Sequence, residues 1–186
     1  PFDTMSDFLE LVIDGFAKGA PKHHHLVVKA HPLEDGRVPL RRDIKRLARE
    51  HGVSGRVHYV RGGKLAQLLN DARTAVTVNS TAGQQALWRG LPLRCLGRAV
   101  YDRPEFVSDQ PLPVFFARPR RPDSAAYLMY RRYLLETSQV PGGFYSNRGR
   151  TRLLRRVVDM MLDDRDPYTA RKADQDAKKP HLQVVL

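Results

Sequence analysis

The 186-residue chain contains a single cysteine, Cys95, and no long apolar run. One cysteine cannot form an intrachain disulfide, which excludes disulfide-stapled secreted scaffolds and favours a reducing compartment. A membrane-spanning helix needs roughly 20 apolar residues in succession, and no stretch of this sequence approaches that length. Apolar residues nevertheless make up 41% of the chain and occur in clusters. That clustering argues for a folded chain of one sizeable domain or a close pair of domains.

Acidic residues are in short supply. Lys and Arg number 32 against 20 Asp and Glu, which gives a formal net charge of +12. The excess is largest in residues 111–160, where ten Arg face three acidic residues, a balance of +7. Nucleic acid, an anionic membrane surface and a phosphorylated substrate are all compatible with this charge. A solvated helical face would explain it equally well.

Helical and strand periodicities alternate over the first 96 residues. Helices are predicted around residues 5–19, 44–52, 65–69 and 84–89, and Val- and Leu-rich strands at 25–29, 56–60, 74–79 and 92–96. Such alternation predicts an α/β fold, an open parallel sheet with helices on both faces. A long proline-broken connection follows, and then helices at 124–137 and 151–162.

The predicted elements suggest how the chain is divided. We expect residues 1–162 to form one domain and residues 163–186 to form a loosely ordered tail, because charges of both signs mix there with few apolar residues. The sequence opens at Pro1 rather than at a methionine. We therefore expect it to be a piece of a longer protein.

The end of the first predicted strand carries potential anion-binding side chains. Ligands of open parallel sheets bind beyond the carboxyl ends of the strands. Lys29 and His31 stand two residues apart, so in a strand they share a face, and both can donate to an anionic oxygen. Pro32 follows and ends the strand. A purely structural histidine is the alternative explanation for His31.

The end of the third predicted strand carries a second candidate segment. Asn79, Ser80, Thr81 and Gly83 occupy a strand-to-helix turn. Backbone N–H groups and the helix dipole make such turns suitable for anions, although N-capping by Ser80 or Thr81 would explain the hydroxyls as well. Because both segments follow strands of one predicted sheet, we expect them to hold one phosphate from two sides.

Other signals argue against common alternatives. Three consecutive histidines, at positions 23–25, have no carboxylate or cysteine at ligand spacing, so no metal site is predicted there. Cys95 lies inside an apolar strand and is interpreted as a core thiol. Neither a Walker sequence nor a G-x-G-x-x-G fingerprint occurs, which disfavours P-loop and standard dinucleotide enzymes.

Several segments together resemble the capsule polysaccharide biosynthesis proteins of Gram-negative bacteria. The resemblance covers about residues 5–162. It is carried by residues 29–36 (KAHPLEDG), 77–87 (TVNSTAGQQAL), 90–93 (GLPL), 96–104 (LGRAVYDRP) and 138–145 (SQVPGGFY). Pro141 and Gly142 depart from the pattern of the last segment, which is Q-x-N-G-x-F-Y in the family.

The resemblance implies a KpsS-type transferase of 3-deoxy-manno-octulosonic acid (Kdo). Such proteins are similar to two-domain GT-B glycosyltransferases, and this chain would be the Rossmann-like, C-terminal half that binds the donor CMP-Kdo. Bacterial sialyltransferases similarly place a His-Pro and a Ser/Thr motif around the CMP phosphate. His31 would stabilise the leaving phosphate, while a catalytic acidic residue is expected in the absent N-terminal half.

The same resemblance implies the partners and location. A lipid-linked acceptor and other capsule assembly proteins are expected as partners, and no cofactor is expected beyond the substrate CMP-Kdo. We expect a cytoplasmic protein held peripherally at the inner membrane. The residues predicted to face the membrane or the acceptor are Arg118, Arg120 and Arg121 and a helix with Arg131, Arg132, Tyr127, Tyr130 and Tyr133. The alternative is that the tyrosines pack in the core and the arginines only keep the protein soluble.

Two other functions compete with the transferase. A nucleic-acid-binding module would explain the charge, but no recognition motif is present and nucleic acid is not an expected partner. A non-catalytic assembly or export partner could share the fold. Salt-dependent RNA binding would mark the first, and an inactive full-length protein the second.

Overall fold

Helices and strands alternate in the computed structural model, which describes residues 2–31, 34, 39–140, 142 and 146–177. The helices are α1 (Met5–Gly19), α2 (Leu40–Glu50), α3 (Leu65–Asp71), α4 (Ala82–Trp88), α5 (Leu112–Ala117), α6 (Ser124–Thr137), α7 (Asn147–Leu162) and α8 (Pro167–Ala177). The strands are β1 (Leu26–Lys29), β2 (Val57–Val60), β3 (Ala75–Thr77) and β4 (Leu93–Cys95).

The strands form two parallel pairs. β1 pairs with β2 and β3 with β4, which confirms a mixed α/β fold with parallel strands. The predicted ladder of four strands is not formed by the described residues, because β1 and β3 lie in different pairs. β3 is also shorter than predicted: the Thr77 hydroxyl accepts from the Ser80 N–H at 3.2 Å, so the chain turns soon after this strand.

The two pairs nevertheless contact one core. Val76 of β3 packs against the same buried cluster as Leu26 and Val28 of β1. The opposite face of β1 is not fully covered, since Val27 is 43% exposed. On the other face of β1, Leu26 and Val28 are partly buried and pack against the cluster that α1, α2 and α5 line.

Local sequence signals explain α1. Thr4 accepts a hydrogen bond from the Asp7 N–H at 3.2 Å, and the Asp7 carboxylate accepts one from the Thr4 N–H at 2.9 Å. This capping box satisfies two N–H groups that the first turn would otherwise leave unpaired. The apolar stripe of the helix, including Ile13 and Phe16, is buried, which confirms the predicted first helix.

α5 is an element that the sequence analysis missed. Pro111 and Pro113 suggested a broken connection, yet proline is compatible with the first turn of a helix, whose N–H groups have no intrahelical partner anyway. Leu112, Phe115 and Phe116 of this short helix are buried in the main core. The segment predicted to be a connection therefore supplies part of the hydrophobic core.

Two glycines of α1 allow α5 to approach closely. A Cβ atom at Gly15 would lie 2.5 Å from the Leu112 Cβ, and one at Gly19 would overlap the Pro113 backbone. Side-chain ends can move aside, but a backbone carbonyl held in a helix cannot. Gly19 is therefore required by packing, since the residue that caps the end of α1 is Ala20.

The chain divides into two units, Pro1–Tyr127 and Leu128–Leu186. The boundary between these units falls inside α6. Within the second unit, α8 occupies part of the segment for which a loose tail is expected. The Arg171 guanidinium of α8 pairs with Glu136 and lies 5.2 Å from the centre of the Tyr133 ring. No helix among the described residues has the length and apolarity needed to cross a bilayer.

Replacing Gly19 by alanine tests the close approach of α1 and α5. The new Cβ must displace the Pro113 backbone, so we expect Gly19→Ala to lower the free energy of unfolding by about 1–3 kcal/mol, despite the better helix propensity of alanine. Gly55→Ala is the matched control, since nothing lies within 4 Å of a Cβ there. Urea unfolding of both variants measures the difference. Equal stabilities would contradict this account of the α1–α5 contact.

Candidate functional site at the strand ends

The first candidate segment continues directly from β1. The Ala30 N–H donates to the Val60 carbonyl at 2.9 Å, which extends the β1–β2 ladder by one residue. Lys29 is half-buried, and its ammonium donates to the Ala30 carbonyl at 3.3 Å. The His31 side chain is exposed. Pro32 lies outside the described residues, so its predicted part in the site stays a prediction.

A second strand end meets the first. Arg61 follows β2, and its guanidinium donates to the Glu34 carbonyl at 3.0 Å. The Glu34 N–H in turn donates to the His31 carbonyl at 3.0 Å. Arg61 thus brings a further cation to the loop that carries His31, a residue that the sequence analysis had not counted among the site residues.

Hydrogen bonds hold the second candidate segment, residues 80–83, in a tight turn. The Ala82 N–H donates to the Ser80 hydroxyl at 3.2 Å, and the Gly83 N–H to the Ser80 carbonyl at 2.9 Å. The Ser80 N–H itself donates to Thr77. These bonds use N–H groups that the sequence analysis expected to be available for an anion. Asn79, Ser80 and Thr81 are exposed, so their polar side chains are the groups presented to solvent.

Gly83 is required by a packed aromatic ring. A Cβ atom at this position would lie 2.5 Å from the Tyr101 hydroxyl oxygen and 2.7 Å from its Cζ. Tyr101 is only 1% exposed and has no room to withdraw. Its hydroxyl donates to the Ser80 carbonyl. Gly83 therefore contributes to the site through the position of the turn.

Cys95 is buried within hydrogen-bonding distance of the buried Tyr101. Its thiol donates to the Val78 carbonyl at 2.9 Å and lies 3.2 Å from the Gly97 carbonyl. Burial raises the pKa of the Cys95 thiol and the pKa of the Tyr101 hydroxyl. Both groups therefore keep their protons at neutral pH. This environment agrees with the interpretation of Cys95 as a core thiol and supports Tyr101 as a hydrogen-bond donor.

The three consecutive histidines, residues 23–25, precede β1 and so lie at the opposite end of that strand from Lys29 and His31. His25 and His58 stack with their ring centres 5.1 Å apart, and the His25 Nδ1 is 2.9 Å from the His58 Nε2. A hydrogen bond at that distance requires one of the two nitrogens to carry the proton. Within the described parts of the chain, no three His, Cys, Asp or Glu residues are grouped as metal ligands.

Two residues of the predicted membrane-facing region have structural roles. Tyr127 is 2% exposed, and its hydroxyl donates to the Gln84 carbonyl at 3.0 Å. The assignment of Tyr127 to an interface is therefore wrong, because the ring packs in the core. Arg118, Arg120 and Arg121 are all exposed, but the Arg120 guanidinium also donates to the Val107 carbonyl at 2.9 Å.

Comparison with known proteins identifies the family. Residues 1–145 match the family described as "Capsule polysaccharide biosynthesis protein". The chain belongs to this capsule polysaccharide biosynthesis family. The match includes both candidate segments and Tyr101.

Individual relatives agree with this assignment. The capsule polysaccharide modification protein LipB of Neisseria meningitidis serogroup A is 38% identical over 146 residues, which are 78% of this chain and 35% of LipB. The capsule polysaccharide export protein KpsS of Escherichia coli is 35% identical over 144 residues, 77% of this chain and 37% of KpsS. The chain thus spans little more than a third of these relatives. No solved structure matches it.

Tyr101 lies in the region that matches the family, but it was not among the site residues predicted from the sequence. Tyr101 belongs to the matched segment LGRAVYDRP, and only the fold shows that it supports residues 80–83. From the sequence, Tyr101 looks like an ordinary core residue. Its role could not be predicted, because the carbonyl that it contacts belongs to Ser80, 21 positions earlier in the chain. That His31 and Ser80 bind the same phosphate stays a prediction.

Tyr101→Phe tests the support of the turn. The variant keeps the ring against Gly83 and removes only the hydroxyl, so we expect a loss of about 1 kcal/mol in the free energy of unfolding. Tyr168→Phe is the control, since Tyr168 is 48% exposed. Urea unfolding followed by circular dichroism gives both values. If Tyr101→Phe is as stable as the unchanged chain, the hydroxyl does not hold the turn.

Proposed function

We propose that the chain is the donor-binding half of a capsular polysaccharide glycosyltransferase that moves Kdo from CMP-Kdo to a lipid-linked acceptor. The observation that carries the proposal is the family match over residues 1–145, which includes the polar segments at the ends of β1 and β3. The identity of the sugar rests on the sequence resemblance alone. The N-terminal half of such an enzyme would supply the catalytic acidic residue.

The residues at the strand ends suit a departing nucleotide. Negative charge builds on the CMP phosphate as the sugar leaves, and donors placed for that charge lower the barrier. His31 and Lys29 offer N–H donors at the end of β1. Ser80 and Thr81 offer exposed hydroxyls on a turn whose backbone is already fixed. Gly83 and Tyr101 would act by keeping that turn in position.

This assignment needs no metal for charge neutralisation. Lys29 and Arg61 are cations near the end of the first strand pair, and Arg61 is tied to the loop that contains His31 by its bond to Glu34. Charge-assisted hydrogen bonds from such groups are about twice as strong as neutral ones. The proposed site would therefore stabilise a phosphate by its own side chains.

Replacing His31 tests donor binding directly. One lost charge-assisted hydrogen bond is worth roughly 1.5–3 kcal/mol, so we expect His31→Ala to weaken CMP binding about 10- to 150-fold. His25→Ala is the matched control, because His25 precedes the other end of the same strand. Isothermal titration of CMP into each folded variant gives the affinities. Equal affinities for His31→Ala and the unchanged chain would remove His31 from the site.

The two competing functions make different predictions. A nucleic-acid-binding module would bind RNA with an affinity that falls steeply with salt, whereas CMP held by directed hydrogen bonds would still bind at high salt. A non-catalytic assembly or export partner is favoured by the description of the relative KpsS as an export protein. Failure of the intact parent protein to transfer Kdo, with CMP binding preserved, would favour that function.

A further inference from the structure

The apolar side of α7 is exposed. Leu154, Val158 and Met161 follow one another at spacings of four and three residues, so they form one stripe of the helix. They are 58%, 50% and 80% exposed. No residue of α7 is buried, although a surface helix of a globular protein normally buries its apolar stripe. Something outside the described chain must cover this stripe if it is to leave water.

The same helix is strongly basic. It carries five arginines against one acidic residue, Asp159, so its net charge is 5 − 1 = +4. Arg148, Arg152 and Arg155 repeat at spacings of four and three residues and form a second stripe. Viewed down the helix, at 100° per residue, this stripe lies away from Leu154 and Met161. Apart from Arg150, which lies near the angle of Met161, the arginines of α7 are thus on the side away from the exposed apolar stripe.

These two stripes together favour a bilayer surface over a nucleic acid or a second copy of the chain. A nucleic acid would use the arginines but leave Leu154, Val158 and Met161 in water. A second copy packed about a twofold axis would bring two identical basic helices together. An anionic bilayer surface accepts both sides at once, because the apolar stripe enters the acyl boundary while the arginines contact the headgroups.

We propose that α7 is an interfacial helix that attaches the chain to an anionic lipid surface. The helix begins at Asn147, after the end of the family match at residue 145, so this surface is a property of the chain beyond the matched segment. The proposal rests on the proposed function, in which the acceptor is lipid-linked, and adds which helix contacts the membrane. It moves that role from Arg120 and Tyr127, which have partners within the first unit, to α7.

Co-sedimentation of the full chain with vesicles tests the proposal. We expect the chain to bind vesicles of phosphatidylglycerol and phosphatidylcholine at low salt and to bind pure phosphatidylcholine much less. Each basic residue near an anionic surface contributes about 1 kcal/mol, so Arg152→Gln with Arg155→Gln should weaken partitioning on the order of tenfold. Leu154→Ala with Met161→Ala should weaken it by a similar factor while preserving helix propensity.

Matched controls separate the helix from general charge and apolarity. Arg41→Gln with Arg42→Gln removes two exposed arginines from α2, and Met129→Ala removes a 68% exposed side chain from α6. Both control variants should bind vesicles like the unchanged chain. Circular dichroism verifies that every variant keeps its helices.

Three results would overturn the proposal. The first is equal binding to anionic and neutral vesicles, or equal losses in the α7 variants and their controls. The second is absence of vesicle binding with RNA binding that only the arginine variant loses. The third is a concentration-dependent dimer that Leu154→Ala with Met161→Ala abolishes. CMP affinity should be unchanged in the α7 variants, so a chain that binds vesicles but not CMP would contradict the proposed function alone.

Discussion

A single buried side chain fixes the turn on which the proposed site depends. Tyr101 donates to the Ser80 carbonyl, and the hydroxyl end of its side chain lies against Gly83, leaving no space for a Cβ atom there. The exposed hydroxyls of Ser80 and Thr81 thus belong to a turn whose backbone is held in place by the buried Tyr101 side chain. Hydrogen bonds within the turn also reduce the cost of ordering it. Directed donors of this kind are preorganised before any ligand arrives.

The rest of the first unit supports the strands from which this site projects. Strands of three or four residues are marginal by themselves, and their position depends on the helices packed against them. Gly15 and Gly19 let α5 lie directly on α1, and Phe115 completes the cluster that also contacts Val28 and Val76. One core therefore anchors both parallel pairs, although no continuous ladder joins them.

Locally encoded features could be predicted from the sequence, and features that depend on distant partners could not. The capping box and apolar stripe of α1 lie within one segment, so the prediction of that helix is confirmed. α5 was missed because its prolines suggested a linker, and only burial of Phe115 shows otherwise. Gly83 could be placed in a strand-to-helix turn from the sequence, but the packing of Tyr101 beside it could not, because Tyr101 is distant along the chain. The family, in contrast, was indicated by motif order along the chain and is confirmed.

The central claim is that two strand ends of this chain bind one nucleotide phosphate. Titration of CMP into the isotopically labelled chain, followed by amide chemical shifts at high salt, tests it most directly. The account predicts saturable shifts at both Lys29–His31 and residues 80–83, with Tyr101 responding through the turn. Shifts confined to the arginines of α7 and to Arg118 and Arg121, and lost as salt increases, would contradict it.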